Sequence, residues 1–151
     1  SKEIDSRGYY FDFQLYFEKY EKSFTVTSPS VSLIYAMDYQ LDKILEQGII
    51  NRNNSYIEMA EYTRNWALKN DLALFAQPGY ESPTVTCIKN NKSINIASLI
   101  ENVKVNHKAV FSNGYGNLKE KTFRIGHLGD ITLPEIKFLL NAIEGEIKKV
   151  D

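Results

Sequence analysis

The sequence predicts an α+β fold: a small, mostly antiparallel sheet with helices packed on one face, in a single domain spanning residues 1–151. Two observations predict it. Several segments repeat apolar residues at helical spacing, and four short apolar or β-branched segments indicate strands. The strands come in two pairs with no helix inside either pair, an order that favours antiparallel over parallel pairing. A chain of this length can bury about two thirds of its unfolded surface, enough for a stable core.

The first two helices of this fold follow each other closely. One is predicted from Val31 to a stop at Gly48, because its apolar residues form one helical face: Val31, Ile34, Met37, Leu41, Ile44 and Leu45. The second is predicted from Asn53 or Asn54, either of which is a suitable N-cap. Its inward-facing residues are Tyr56, Met59, Thr63, Trp66 and Ala67. The two helices are expected to pack against each other.

Two strand pairs and two further helices complete the domain. The strands are predicted at 72–76, 83–88, 109–111 and 122–125. Between the pairs, a helix capped by Ser93 or Asn95 has Ile96, Leu99, Ile100 and Val103 on its apolar face. The last helix has the clearest start, since Thr132 and Glu135 form a capping box around Pro134. Its buried stripe is predicted to be Ile136, Leu139, Leu140, Ile143 and Ile147.

The N-terminal segment is rich in aromatic residues and has an ambiguous period. Tyr10, Phe13 and Phe17 fit a helix, whereas Tyr9, Phe11 and Phe13 alternate as in a strand. Pro29 then predicts a loop before the helix that begins at Val31.

Composition narrows the classes of partner. Eighteen Lys and Arg against 19 Asp and Glu give a net charge of −1, so we expect no nucleic-acid partner. The longest apolar run, 31–37, is too short to cross a bilayer, and no membrane partner is expected. The single cysteine, Cys87, predicts neither a disulfide nor a CxxC site and favours a cytoplasmic location.

Most titratable residues fit an ordinary surface. Asp38 and Asp42 lie on the polar face of a helix, and His107 and His127 belong to no metal-binding motif, so no metal site is predicted. Arg124 is different, because it lies in a short apolar strand that is followed by Gly126 and Gly129. An arginine there can bind a carboxylate through two parallel hydrogen bonds or form a structural salt bridge.

Four motifs follow one another along the chain: YFDF at 10–13, SPSVSLIYA at 28–36, SPTVT at 82–86, and GYGNLK at 114–119 with FRIGHLG at 123–129. In this order they resemble the C-terminal small domain of class V, fold-type I aminotransferases that use pyridoxal 5'-phosphate, of the serine-pyruvate and alanine-glyoxylate type. YFDF at 10–13 is similar to the family's YFDL segment, SPSVSLIYA at 28–36 to its TPAVSLIYAL helix start, and SPTVT at 82–86 to its SPTVT strand. GYGNLK at 114–119, followed by FRIGHLG at 123–129, is similar to its G-x-G-x-L-K and FRIGHMG signature.

The resemblance assigns two site residues and no catalytic residue to this chain. It implies that Arg124 binds the α-carboxylate of the amino or keto acid. It implies that Thr27 contacts the cofactor phosphate of a second subunit in a homodimer. The family has a tyrosine where this chain has Phe24, which lacks a hydroxyl, so one phosphate contact is in question. The family's lysine that forms the Schiff base with the cofactor precedes the YFDL segment and has no counterpart here.

We therefore expect the chain to be the C-terminal domain of a longer aminotransferase, with its large N-terminal cofactor-binding domain absent. The whole protein would transfer an amino group between a small amino acid and a 2-keto acid such as pyruvate or glyoxylate, and the fragment alone would bind no cofactor and be inactive. The alternative is a stand-alone α+β module that binds a small amino or keto acid without catalysis. A third hypothesis makes the aromatic segment containing Phe11, Phe13, Tyr16 and Phe17 an exposed docking strip.

Overall fold

The computed structural model describes residues 8–149 and contains helices and strands in the predicted α+β arrangement. The helices are α1 (Phe13–Tyr20), α2 (Val31–Gln47), α3 (Ile49–Lys69), α4 (Ile96–His107) and α5 (Leu133–Ile147). The strands are β1 (Ala73–Leu74), β2 (Val85–Lys89), β3 (Ser112–Asn113) and β4 (Thr122–Gly126). The chain divides into two compact units, the first ending at Glu46 and the second beginning at Gln47. The prediction of a single domain stays a prediction.

In the first unit, the ambiguous aromatic segment forms the helix α1. Asp12 caps it, since one carboxylate oxygen accepts hydrogen bonds from the backbone N–H of Gln14 (3.1 Å) and Leu15 (3.4 Å). The rings of Phe11, Phe13 and Phe17 are exposed, in line with the docking-strip hypothesis, whereas Tyr16 is half-buried.

The helix α2 has the predicted bounds, but its apolar stripe is not buried. None of its residues is buried, and most of the predicted stripe is exposed: Val31, Ile34, Met37, Leu41 and Leu45. Because α2 lies in the first unit as far as Glu46 and α3 in the second, the packing predicted between them stays a prediction.

The second unit is a four-stranded antiparallel sheet in the order β1-β2-β4-β3, covered by helices on one face. The covered face is built from Ile88 on β2 and Phe123 and Ile125 on β4, all fully buried. They join one core with buried residues of the three helices: Met59, Trp66 and Ala67 of α3, Leu99 and Val103 of α4, and Ile136, Leu139, Leu140 and Ile143 of α5. The predicted fold class is confirmed.

The start of α3 was predicted wrongly. Asn53 and Asn54 do not cap the helix, because it already begins at Ile49, with Gly48 as its N-cap. Gly48 has φ +82°, a conformation that glycine adopts without a steric cost, and it is the one residue between the end of α2 at Gln47 and the start of α3. The predicted buried residues Met59, Thr63, Trp66 and Ala67 are confirmed, and Tyr56 is half-buried.

Two strands are displaced or shortened. The predicted strand 109–111 is replaced by β3 at Ser112–Asn113, because α4 ends in the left-handed residue Lys108 and Phe111 enters the core. The first strand shrinks from 72–76 to Ala73–Leu74.

The caps of the last two helices agree better with the sequence. Asn95 caps α4, as one of the two predicted alternatives. At α5 the Glu135 carboxylate accepts from the backbone N–H (2.8 Å) and the hydroxyl (2.7 Å) of Thr132, which confirms the predicted start. No helix within residues 8–149 is long and apolar enough to cross a bilayer.

The carboxylate of Glu146 on α5 is buried and accepts three hydrogen bonds. Its donors are Asn106 Nδ2 (3.1 Å), His107 Nε2 (3.0 Å) and Lys149 Nζ (2.7 Å). The bond from Lys149, followed by those from His107 and Asn106, lowers the pKa of Glu146 to about 2 from an ordinary 4.5. A carboxylate with a lowered pKa stabilises the fold above the pKa of the unfolded chain, and this stabilisation is lost as the pH falls towards 2.

Glu146→Gln should therefore reduce the pH dependence of stability in acid. We expect the difference in unfolding free energy between the original chain and the variant to be largest above pH 5 and to shrink steadily towards pH 2. Urea unfolding at a series of pH values measures it, with Glu58→Gln on the exposed side of α3 as a matched control. A difference that stays constant from pH 7 to pH 3 would contradict the assignment.

Candidate carboxylate-binding site

Arg124 lies at the centre of β4, on the face of the sheet that the helices leave open. It is directly opposite Cys87 of β2 and Ser112 of β3, and directly opposed residues of antiparallel strands share a face. Its neighbours Phe123 and Ile125 point into the core, so the alternation of the strand places Arg124 on the other side. The arginine is half-buried, as suits a receptor that solvent and a ligand can both reach.

Within residues 8–149, the guanidinium of Arg124 is held at one nitrogen. Its Nε donates a hydrogen bond of 3.0 Å to the backbone carbonyl of Asn113. Among residues 8–149 it forms no ion pair with a carboxylate, so the structural salt bridge that the sequence left open is not seen there. No residue from 8 to 149 bonds to the two terminal nitrogens, and their spacing matches the two oxygens of a carboxylate.

His127, three residues further along, has a structural role beside this site. It is fully buried, and its backbone N–H donates to the Thr84 carbonyl at 2.9 Å. Its ring lies 2.9 Å (Nε2) from the Thr86 hydroxyl and 3.1 Å (Nδ1) from the Pro83 carbonyl. A carbonyl only accepts, so Nδ1 carries the proton and Nε2 accepts from Thr86. Burial lowers the pKa of His127, which keeps the ring neutral and fixes the end of β4 to the start of β2.

The loop that follows is fastened to α3. The Tyr56 hydroxyl donates to the Gly129 carbonyl (3.1 Å) and accepts from the Gly129 N–H (3.2 Å). Arg52, which lies over the Tyr56 ring, pairs with Asp130 at 3.0 Å. The glycine-containing segment after Arg124 is thus held at several points.

The glycines before β4 form a turn. A Cβ on Gly114 would lie only 2.0 Å from the Leu118 carbonyl oxygen, so no side chain fits there. A short 3-10 turn at Gly116–Leu118 follows, and the Gly114 N–H donates to the Thr122 carbonyl at 2.8 Å. The turn brings Asn113 beside Arg124.

Thr27, the second predicted site residue, belongs to the first unit. It is exposed in the bend between α1 and α2, and the Phe24 ring nearby is 71% exposed. Thr27 and Arg124 thus belong to different units of the chain.

The remaining candidates have ordinary surroundings. Asp38 and Asp42 are exposed on α2, and His107 contacts Glu146. Within the part of the chain that the structure describes, no three His, Cys, Asp or Glu side chains are grouped so that they could hold a metal ion.

Sequence reasoning missed Asn113 and Tyr56. Asn113 lies outside the strand predicted at 109–111, and its contact with Arg124 is made by the backbone, which leaves no signal in residue type. The helical spacing predicts Tyr56 as an inward-facing residue and gives no sign that its hydroxyl holds the loop at Gly129.

Comparisons with known proteins identify relatives of the chain. The chain is 33% identical over 150 residues to an uncharacterized aminotransferase of Methanocaldococcus jannaschii, a match that covers 99% of the chain and 39% of that protein. It is 29% identical over 147 residues to the serine–glyoxylate aminotransferase of Methylorubrum extorquens, covering 94% of the chain and 35% of the relative. The chain is homologous to part of an aminotransferase. No family model matches it.

A solved aminotransferase has the same fold. The crystal structure of alanine–glyoxylate aminotransferase from Nostoc sp. superposes with a TM-score of 0.83 at 21% identity, covering 96% of this chain and 39% of that one. At this identity the likeness shows the fold alone. The chain thus spans between 35% and 39% of the length of the aminotransferases named here.

Proposed function

We propose that the chain is the C-terminal small domain of a pyridoxal 5'-phosphate-dependent aminotransferase and that it supplies the residue that binds the substrate carboxylate. The whole protein would transfer an amino group between a small amino acid and a 2-keto acid such as pyruvate or glyoxylate. Support comes from the relatives, since the match to serine–glyoxylate aminotransferase extends over nearly the whole chain. The class V assignment and a cytoplasmic location belong to the same proposal.

The observation that carries the proposal is the guanidinium of Arg124, whose two terminal nitrogens form no hydrogen bond with residues 8–149. Amino acids and 2-keto acids share an α-carboxylate, and a planar fork with two available N–H donors recognises that group whichever of the two is bound. Binding by Arg124 would hold the α-carbon in one place through both halves of an amino-group transfer. Such positioning is the main contribution that a residue outside the reacting bonds can make.

The first unit fits a more limited role towards the cofactor. When bound, pyridoxal phosphate acts as the electron sink of the reaction. The exposed hydroxyl of Thr27 can donate one hydrogen bond to the phosphate, whereas the phenyl ring of Phe24 can donate none. The proposal therefore assigns Thr27 a single phosphate contact in a homodimer. It leaves the lysine and the main phosphate site to the chain's own large N-terminal domain.

The mass of the native gene product tests the first part of the proposal. An antibody raised against this domain should detect a species far heavier than 17.4 kDa, roughly 2.5 times its mass, because the chain spans 39% of its relative. A native species at 17.4 kDa would contradict the assignment to a longer enzyme.

A stand-alone carboxylate-binding module is the second candidate. It is favoured by the position of Arg124, whose strand and partner Asn113 both lie within the second unit. Calorimetry on the isolated chain with glyoxylate or pyruvate distinguishes the two functions. Binding that Arg124→Gln abolishes would support the module, and no binding would favour the domain of an enzyme.

A further inference from the structure

Glu120, in the turn before β4, has a backbone conformation that is unusual for its residue type. Its φ is +63°, in the left-handed region, where any residue with a Cβ is less stable than glycine. Glu120 lies four residues before Arg124 in sequence. A strained residue persists only where the surrounding contacts fix it, so its contacts indicate what the strain accomplishes.

Four hydrogen bonds hold Glu120 in place. Its backbone N–H donates to Asn113 Oδ1 (2.9 Å), and its carbonyl accepts from Asn90 Nδ2 (2.8 Å). One carboxylate oxygen accepts from Asn113 Nδ2, and the other accepts from the backbone N–H of Ile96 (2.8 Å), at the start of α4. The bond from Asn113 lowers the pKa of Glu120, so the side chain is a charged acceptor at neutral pH.

These hydrogen bonds hold the side chain of Asn113 in place, and with it the backbone carbonyl of the same residue. Its side chain is held on both ends by Glu120, and its Oδ1 also accepts from the backbone N–H of Gly114 (2.8 Å). The backbone carbonyl of this same residue accepts from Arg124 Nε. A continuous set of contacts thus runs from the start of α4 through Glu120 and Asn113 to the guanidinium.

We propose that Glu120 is a positioning residue, which acts through Asn113 to orient the guanidinium of Arg124. With Nε occupied by the Asn113 carbonyl, the two terminal nitrogens form the edge that meets a carboxylate end-on. The orientation of the fork follows from the contacts alone; that its ligand is a substrate carboxylate rests on the proposed function.

Glu120→Gly tests the orientation on the chain itself. Glycine adopts the left-handed conformation without strain, and the change also removes both carboxylate hydrogen bonds. A faster exchange is then due to the lost hydrogen bonds and not to added backbone strain. The readout is the hydrogen-exchange rate of the Arg124 Nε–H, measured by NMR in the folded chain. We expect it to rise at least about tenfold, because the carbonyl that accepts this proton is no longer fixed.

A matched control is Lys108→Gly, which relieves a similar left-handed residue (φ +56°) at the end of α4 without touching Asn113. It should leave the exchange rate within about twofold of the original. The same small change in Glu120→Gly would overturn the proposal. If the glycine variant does not fold, Glu120→Ala decides instead: it removes both carboxylate bonds and keeps a Cβ as in the original residue, and an unchanged exchange rate there would equally overturn the proposal.

A second readout in the full-length protein separates this inference from the proposed function. Glu120→Gly should raise the KM for the keto acid by about tenfold or more with kcat changed less than about twofold, the pattern of weakened substrate binding. If Arg124→Gln has no kinetic effect while the exchange result holds, the proposed function fails and the positioning stands. If Arg124→Gln is severe but Glu120→Gly changes neither exchange nor KM, the positioning fails and the function stands.

Discussion

If the proposed function holds, replacing Arg124 with alanine in the full-length protein is expected to lower kcat/KM for amino-group transfer by roughly 30-fold to 4,000-fold. In the proposed site, the change would remove two charge-assisted hydrogen bonds to the α-carboxylate and leave that charge without a partner, a loss of about 2–5 kcal/mol. Each 1.4 kcal/mol corresponds to about tenfold. Steady-state kinetics with the amino donor and the keto acceptor varied separately measure the effect, which should be similar for both because both carry the carboxylate.

Two companion variants make this result specific. Arg124→Lys keeps the charge but loses the planar fork, and it should recover only a small part of the rate. Cys87→Ser changes the residue directly opposite Arg124 on the same open face and should leave kcat/KM within about twofold. An unchanged rate in Arg124→Ala, or an equal loss in Cys87→Ser, would contradict a carboxylate role for Arg124.

Helices and strands can be predicted from the sequence where their residue patterns are periodic and strong. The helix α5 follows from its capping box and apolar stripe, and β4 follows from the apolar residues on both sides of Arg124. These features are local, because each depends on residues within one or two turns of the same element. The prediction that Arg124 lies in a strand, as a charged residue between apolar neighbours, depends on a local pattern of the same kind.

Features that depend on backbone geometry or on distant partners could not be predicted in this way. Gly48 reads as the end of one helix and gives no sign that it also begins the next, which depends on its φ of +82°. Asn113 contacts Arg124 through its backbone carbonyl, a group that every residue has. The residue type therefore does not indicate this contact, which depends on how the turn folds. Both misses follow from tertiary structure overriding local preference.

The second large effect is expected in stability, from Phe123→Ala. Phe123 is 0% exposed and packs edge-to-face on Phe111 with ring centroids 5.6 Å apart. Removing a fully buried phenyl ring leaves a cavity and costs about 3–5 kcal/mol. Because a domain's total stability is about 5–15 kcal/mol, the variant should unfold at a much lower urea concentration than the original chain, as urea titration followed by circular dichroism would show.

Phe138→Ala is the matched control, since the Phe138 ring on α5 is 55% exposed and its loss should change stability by less than about 1 kcal/mol. Equal destabilisation in both variants would mean that Phe123 does not belong to the core.

The buried face of β4 also affects the site on its other face. Phe123 and Arg124 point to opposite faces of β4, and loosening the buried face frees the strand that carries the guanidinium. Under the proposed function, a Phe123→Ala variant of the full-length protein that is still folded should therefore bind a carboxylate substrate more weakly, although Phe123 itself faces away from Arg124.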